Sequence, residues 1–150
     1  MEKKFLLGTL RIVKGDASIP HSSDNRMILF LGDINGLMET DLAKKLIKRW
    51  SKVKDSFRSW YRGQVQFKLG NILPIAVQTD TEIICLLVLK DAVLDLAALK
   101  TALTSAAKYA ALNKKNVHIN KTEQNWSEIE SMITDLFLKA GVNVTIYSPA

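Results

Sequence analysis

Two short stretches hold most of the residues whose types and spacing suit chemistry. In residues 27–41, MILFLGDINGLMETD, an apolar run passes into a polar loop around Gly36 and then into the start of an amphipathic helix. Residues 117–129, VHINKTEQNWSEI, repeat that order near the other end of the chain. A strand followed by a loop and a helix presents loop amides and a helix N-terminus at the C-terminal edge of a sheet, the usual place for a ligand. Two such loops facing each other define a crevice. Between them in sequence lies a basic run, Lys44, Lys45, Lys48, Arg49, Lys52 and Lys54, within a net charge of +6. Such a density attracts phosphate-rich partners, nucleic acid among them, through Lys44, Lys45, Lys48 and Arg49. It also reads as the solvated face of a helix, because the apolar residues between the charges have helical spacing.

The other reactive side chains point to structure. Cys85, the single cysteine, sits inside IICLLVL and reads as a buried small hydrophobe, so a disulfide framework and a cysteine-rich metal site are excluded. His21 and His118 have no partner at metal or triad spacing and read as structural. No metal and no cofactor is expected.

The elements that must position the two loops follow from length and periodicity. With 150 residues, 47% hydrophobic and 24% charged, residues 1–150 are expected to form a single domain. Apolar runs such as 83–89 are too short to span a bilayer. Arg11 and Lys14 fall where a signal peptide needs an apolar core, so an intracellular protein with no membrane contact is expected.

Residues 5–7 and 10–13 read as short strands broken at Gly8, the second ending in Gly15-Asp16. The loop formers Pro20, Ser22, Ser23, Asp24 and Asn25 follow, and 27–31 reads as a strand. Leu42, Ala43, Leu46, Ile47 and Trp50 share one face of a helix that Thr40 or Asp41 caps, and Val53, Phe57, Trp60 and Tyr61 continue the stripe in a second helix. Residues 65–69 and 72–77 read as strands around a Gly70-Asn71 turn, and 82–89 as a buried central strand. A long Ala- and Leu-rich helix over 94–112 and a short strand over 116–119 come next. Asn125 with Glu128 reads as a capping-box-like start to a last helix, whose inner face carries Trp126, Ile129, Ile133, Leu136 and Phe137. Gly141 is placed to end that helix, and 142–147 closes the chain as a strand. Strands alternating with helices in the second half predict an α/β fold.

This order resembles the macro domain, the ADP-ribose-binding module, and in particular its branch of terminal ADP-ribose glycohydrolase-like proteins. The pieces that carry the resemblance are LRIVKGDAS, VQFKLGNILPIAV as a central hairpin, and VHINKTEQNWSEIESMITDLFLKAGVNVTIYSP. The resemblance implies a three-layer α/β/α fold with a mixed six-stranded sheet and helices on both faces. It implies that Asp16 accepts a hydrogen bond from the adenine amino group, a role that suits a carboxylate, with Ala17 giving a backbone contact beside it. Tyr147 and Ser148 then lie near the adenine. Asp33, Asn35, Gly36 and Met38 belong to the first ligand loop, and Thr122 and Asn125 to the second. Lys44, Lys48 and Glu123 are the regional counterparts of a lysine nucleophile and an acid.

The sequence departs from the family pattern in both loops. Glu39 and Asp41 stand where glycines are expected, and no glycine occurs between Gly70 and Gly141. A carboxylate about 5 Å from a diphosphate charge costs about 3 kcal/mol at an effective dielectric near 20. A helix N-terminus returns only about 0.3–1 kcal/mol at an exposed site. The expected function is therefore binding of ADP-ribose or a related adenine nucleotide without strong catalysis. The alternatives are a degenerate macro domain that contacts protein or nucleic acid, and an ADP-ribosyl hydrolase.

Overall fold

The computed structural model describes residues 7–21 and 25–149. Phe5 and Leu6 of the first expected strand, and Ser22, Ser23 and Asp24 of the polar loop, lie outside the described residues. In chain order the elements are β1 (Leu10–Lys14), β2 (Arg26–Asp33), α1 (Asp41–Arg49), α2 (Ser51–Gly63), β3 (Ile72–Gln78), β4 (Thr81–Lys90), β5 (Val93–Leu94), α3 (Leu96–Leu112), β6 (Asn116–Asn120), α4 (Trp126–Leu136) and β7 (Val144–Ser148).

The sheet runs β1-β7-β6-β2-β4-β3, with the two-residue β5 added beside β4. β1, β7, β6, β2 and β4 are mutually parallel, so their C-terminal ends share one edge; β3 and β5 run against β4. Alternation sorts the central strands cleanly. Ile28 and Phe30 of β2, and Ile83, Cys85 and Leu87 of β4, face α1 and α2, where Leu42, Ala43, Leu46, Val53 and Phe57 meet them. Met27 and Leu29, with Ile84, Leu86 and Val88, face α3 and α4. The result is three layers, helices on both faces of a mixed sheet.

Local chemistry sets the helix boundaries. Thr40 is the N-cap of α1, its hydroxyl accepting from the Ala43 amide at 3.2 Å, while Asp41 lies in the first turn and Lys48 and Arg49 in the last, as the helix dipole favours. Trp50, in extended conformation, separates α1 from α2. Burial of Leu42 and Leu46, at about 1.5–3 kcal/mol each, holds α1 against the sheet. In α3, Asp95 caps the Ala98 amide at 2.9 Å, and Ala98, Ala102, Ala106 and Ala110 let the helix lie close on the strands.

Three expectations are corrected. Residues 65–69 form turns rather than a strand, and the central hairpin is β3–β4. The chain cannot extend there because Phe67 turns inward against Phe57, Trp60 and Tyr61. Asn125 holds the N-cap position of α4 in left-handed conformation, φ 55°, and makes no side-chain cap bond; its amide reaches Glu128 only at 3.5 Å. Finally, α4 ends at Leu136, a 3-10 turn covers Leu138–Ala140, and Gly141 with φ +83° closes that turn instead of the helix.

Candidate functional site

The C-terminal edge of the sheet gathers the two loops and the Gly15-Asp16 turn. β2 and β6 pair only at Arg26–Asn116, Met27–Val117 and Ile28–His118, yet β2 runs on to Asp33 and β6 to Asn120. Beyond Ile28 and His118 the strands part. The loop after β2 and the loop after β6 flank the gap, at the point where strand order reverses in an α/β sheet.

Asp16 is the most heavily partnered group of this edge. Its Oδ1 accepts from the Ser18 amide (2.9 Å) and hydroxyl (2.6 Å), and its Oδ2 from Lys45 Nζ (2.9 Å) and Asn120 Nδ2 (3.2 Å). Partial burial alone would raise its pKa, but the bonds from Ser18, Lys45 and Asn120 bring it from 3.8 down to about 2. Lys45 is correspondingly held protonated, by its bond to Asp16 first and by the charges of Asp16 and Asp41. Ala17 is buried, and its backbone N–H donates to Asn120 Oδ1 at 2.7 Å. Arg49 donates to the Ser18 carbonyl and lies over the Trp50 ring, so α1 reaches this turn through two cations.

Tyr147 and Ser148 close the edge from β7. Ser148 accepts from the Gly15 amide at 2.8 Å through its carbonyl. Tyr147 is fully buried, with its hydroxyl 2.8 Å from the His21 amide and 2.8 Å from His118 Nδ1. The His21 ring meets the Tyr147 ring edge-on at 5.1 Å. Burial first, then the charges of Arg26 and Arg11, pushes the His118 pKa down to about 4, so the imidazole is neutral at pH 7. Cys85 is buried and burial pushes its thiol pKa up, which leaves it inert.

The first loop is tied down from within. Asp33, buried, accepts from the Asn35 amide at 2.9 Å and the Ala92 amide at 2.8 Å, linking the loop to the β4–β5 turn. Asn35 is exposed and donates to Asp91. Gly36 has φ +82°, and a Cβ there would lie 2.9 Å from three ring carbons of Tyr61. Met38 packs against the α1/α2 core, while Glu39 and Asp41 are exposed. In the second loop the Thr122 hydroxyl donates to the Gln124 carbonyl at 2.8 Å, and Glu123 and Asn125 are exposed.

The structure thus brings Asp16, Ala17 and Tyr147 into one hydrogen-bonded neighbourhood. Lys44 and Lys48 stay exposed on α1. Sequence reading did not single out Asn120, Ser18 or the partnership of Lys45 with Asp16. The signal for Asn120 was its place two residues after His118 on one strand, which puts both on the face opposite Val117 and Ile119.

A broad groove of about 630 Å³ also runs between α3 and α4, but its lining of Ala107, Leu112, Leu136 and the Asp135–Lys139 ion pair offers no convergent reactive groups. Among the described residues, no cluster of three or more His, Cys, Asp and Glu could hold a metal, and no helix is long and apolar enough to cross a membrane.

No family sequence model matches the chain, and no curated protein sequence is detectably similar to it. Solved structures are similar. A macrodomain protein from Streptomyces coelicolor matches 92% of this chain and 97% of its own with a TM-score of 0.86 at 24% identity. The macrodomain of Mycobacterium tuberculosis DarG matches 95% and 99% with a TM-score of 0.76 at 19% identity. Thermosipho africanus DarTG, solved in complex with ADP-ribose, matches 94% of this chain and 42% of its own with a TM-score of 0.77 at 13% identity. The chain has the macrodomain fold.

Proposed function

We propose that this chain binds ADP-ribose or a related adenine nucleotide along the C-terminal edge of its sheet, as a binding module without strong catalytic activity. The observation that carries the reading is the parting of β2 and β6 beyond Ile28 and His118, flanked by two ligand loops and ending beside Asp16, in a fold whose Thermosipho neighbour was solved with ADP-ribose. Asp16 and Ala17 are the contacts to the base, Asp33, Asn35, Gly36 and Met38 form the wall from the first loop, Thr122 and Asn125 the wall from the second, and Tyr147 and Ser148 the floor.

The lysines of α1 argue against strong hydrolysis. Lys45, which reaches the site, is held protonated against Asp16, and an ammonium ion has no lone pair with which to attack a sugar. Lys44 and Lys48 lie in solvent, without the desolvation that lowers a lysine pKa. Calorimetric titration with ADP-ribose tests the reading: a binding isotherm that Asp16→Ala abolishes supports it, and no heat at millimolar ligand removes it.

A further inference from the structure

Asn120 makes two bonds that resemble a base pair. Its Oδ1 accepts from the Ala17 N–H at 2.7 Å, and its Nδ2 donates to Asp16 Oδ2 at 3.2 Å. Turning the amide over would set its oxygen against a carboxylate and its NH2 against an N–H, so only one orientation fits. The Ala17 N–H and the Asp16 carboxylate therefore form a donor–acceptor pair, and a carboxamide fills it.

A nucleobase edge meets that pair where it offers an acceptor beside a donor. Adenine does so with N1 and N6, and cytosine with N3 and N4. Guanine, with O6 beside N1–H, and uracil, with O4 beside N3–H, meet the same pair with the base turned over, so the adenine reading supplies the base and the pair does not choose it.

We infer that Asn120 is an internal occupant of the base subsite, its side-chain amide holding the Ala17 N–H and the Asp16 carboxylate that an adenine edge would otherwise take. This inference rests on the adenine-nucleotide reading above and adds to it a gate. The Ala17 amide has a single proton, so base and Asn120 cannot both bind it well. Asp16 Oδ2 already accepts from Lys45 as well as from Asn120, which leaves no lone pair for a further amine. Asn120 is half-buried at the end of β6 and the Asp16 side chain is 24% exposed, so the pair lies within reach of solvent once the amide swings away. Binding of a base thus competes with an intramolecular contact, and the apparent affinity falls by the fraction of molecules in which Asn120 is closed.

The test compares the wild type with Asn120→Ala by calorimetry, using ADP-ribose and, as a probe without a base, ribose 5-phosphate. The inference expects Asn120→Ala to bind ADP-ribose at least about tenfold more tightly, as removal of two competing hydrogen bonds implies, with ribose 5-phosphate changed less than about twofold. If both proteins bind ADP-ribose and the variant is no tighter, the inference is overturned while the reading above stands. If the variant binds and the wild type is silent, the gate is supported and the reading above is lost for the native chain. Silence from both removes the two together. Should Asn120→Ala fail to fold, nitrogen-15 spectra of the wild type decide. The Asn120 side-chain amide and the Ala17 amide must both shift on saturation with ADP-ribose, and an unmoved Asn120 amide refutes displacement.

Discussion

The hydroxyl of Tyr147 lies 2.8 Å from Nδ1 of His118 in a fully buried setting. The same hydroxyl accepts from the His21 N–H, so its own proton is free to go to Nδ1, an arrangement that suits the imidazole tautomer protonated on Nε2. One side chain of β7 thereby joins a residue of β6 to the loop that follows Asp16. Tyr147→Phe keeps the ring and removes the oxygen, leaving the His21 amide and His118 Nδ1 without that partner. The expected loss is about 1–3 kcal/mol of unfolding free energy, read from urea denaturation. An unchanged midpoint would show that the hydroxyl contributes nothing net.

Acid should weaken the fold in two stages. The pKa of His118 falls from 6.5 to about 4 on folding, so its contribution is complete above 6.5 and is lost as pH drops toward 4, where the folded state must also take up the proton. Asp16 moves from 3.8 to about 2, so its contribution is present above 3.8 and is lost as pH falls through 2. Denaturant titrations across pH 7 to 2 should show both slopes. His118→Gln should flatten the upper one and leave the lower.

Gly36→Ala should cost about 1–2 kcal/mol, because a residue with a Cβ is strained at φ +82°. The added carbon also meets the Tyr61 ring at 2.9 Å, but that ring is 40% exposed and is free to swing. In a double-mutant cycle with Tyr61→Ala, only the part due to the ring is recovered. Full recovery would place the whole penalty in the ring contact.

Asp33→Asn should loosen the first loop. The carboxylate uses one oxygen for the Asn35 amide and the other for the Ala92 amide, and an asparagine offers an oxygen to only one of them while turning NH2 against the other. A loss of about 1–3 kcal/mol is expected, together with faster hydrogen exchange at the amide that is left unpaired. If both amides remain as protected as in the wild type, Asp33 is not the clamp.

These residues also mark how far the sequence could be read. The α/β alternation, both helices after β2 and the Thr40 cap follow from apolar periodicity and cap chemistry, which are local. Residues 65–69 misled because Val65, Phe67 and Leu69 alternate as a strand does; what decides their shape is Phe67 meeting three rings of α2, a tertiary contact. Asn125 and Glu128 have capping-box spacing, but the left-handed backbone at Asn125 turns the side chain from the amides it would cap. For the candidate site, Asp16 and Ala17 were visible as residues, while their partners were not. Asn120 lies 104 positions from Asp16 and Lys45 lies 29 away, and only the parallel order β1-β7-β6, with α1 packed on the neighbouring β2 and Lys45 reaching over from it, brings them together.

The brief pairing of β2 with β6 has a mechanical consequence. Three rungs join a half made of β1, β7 and β6 to a half made of β2, β4 and β3. A ligand lying in the gap beyond those rungs touches both halves at once and acts as a splint across the short seam between them. Occupancy should therefore be legible in places the ligand never touches, as slower exchange of the amides at Met27, Ile28 and His118.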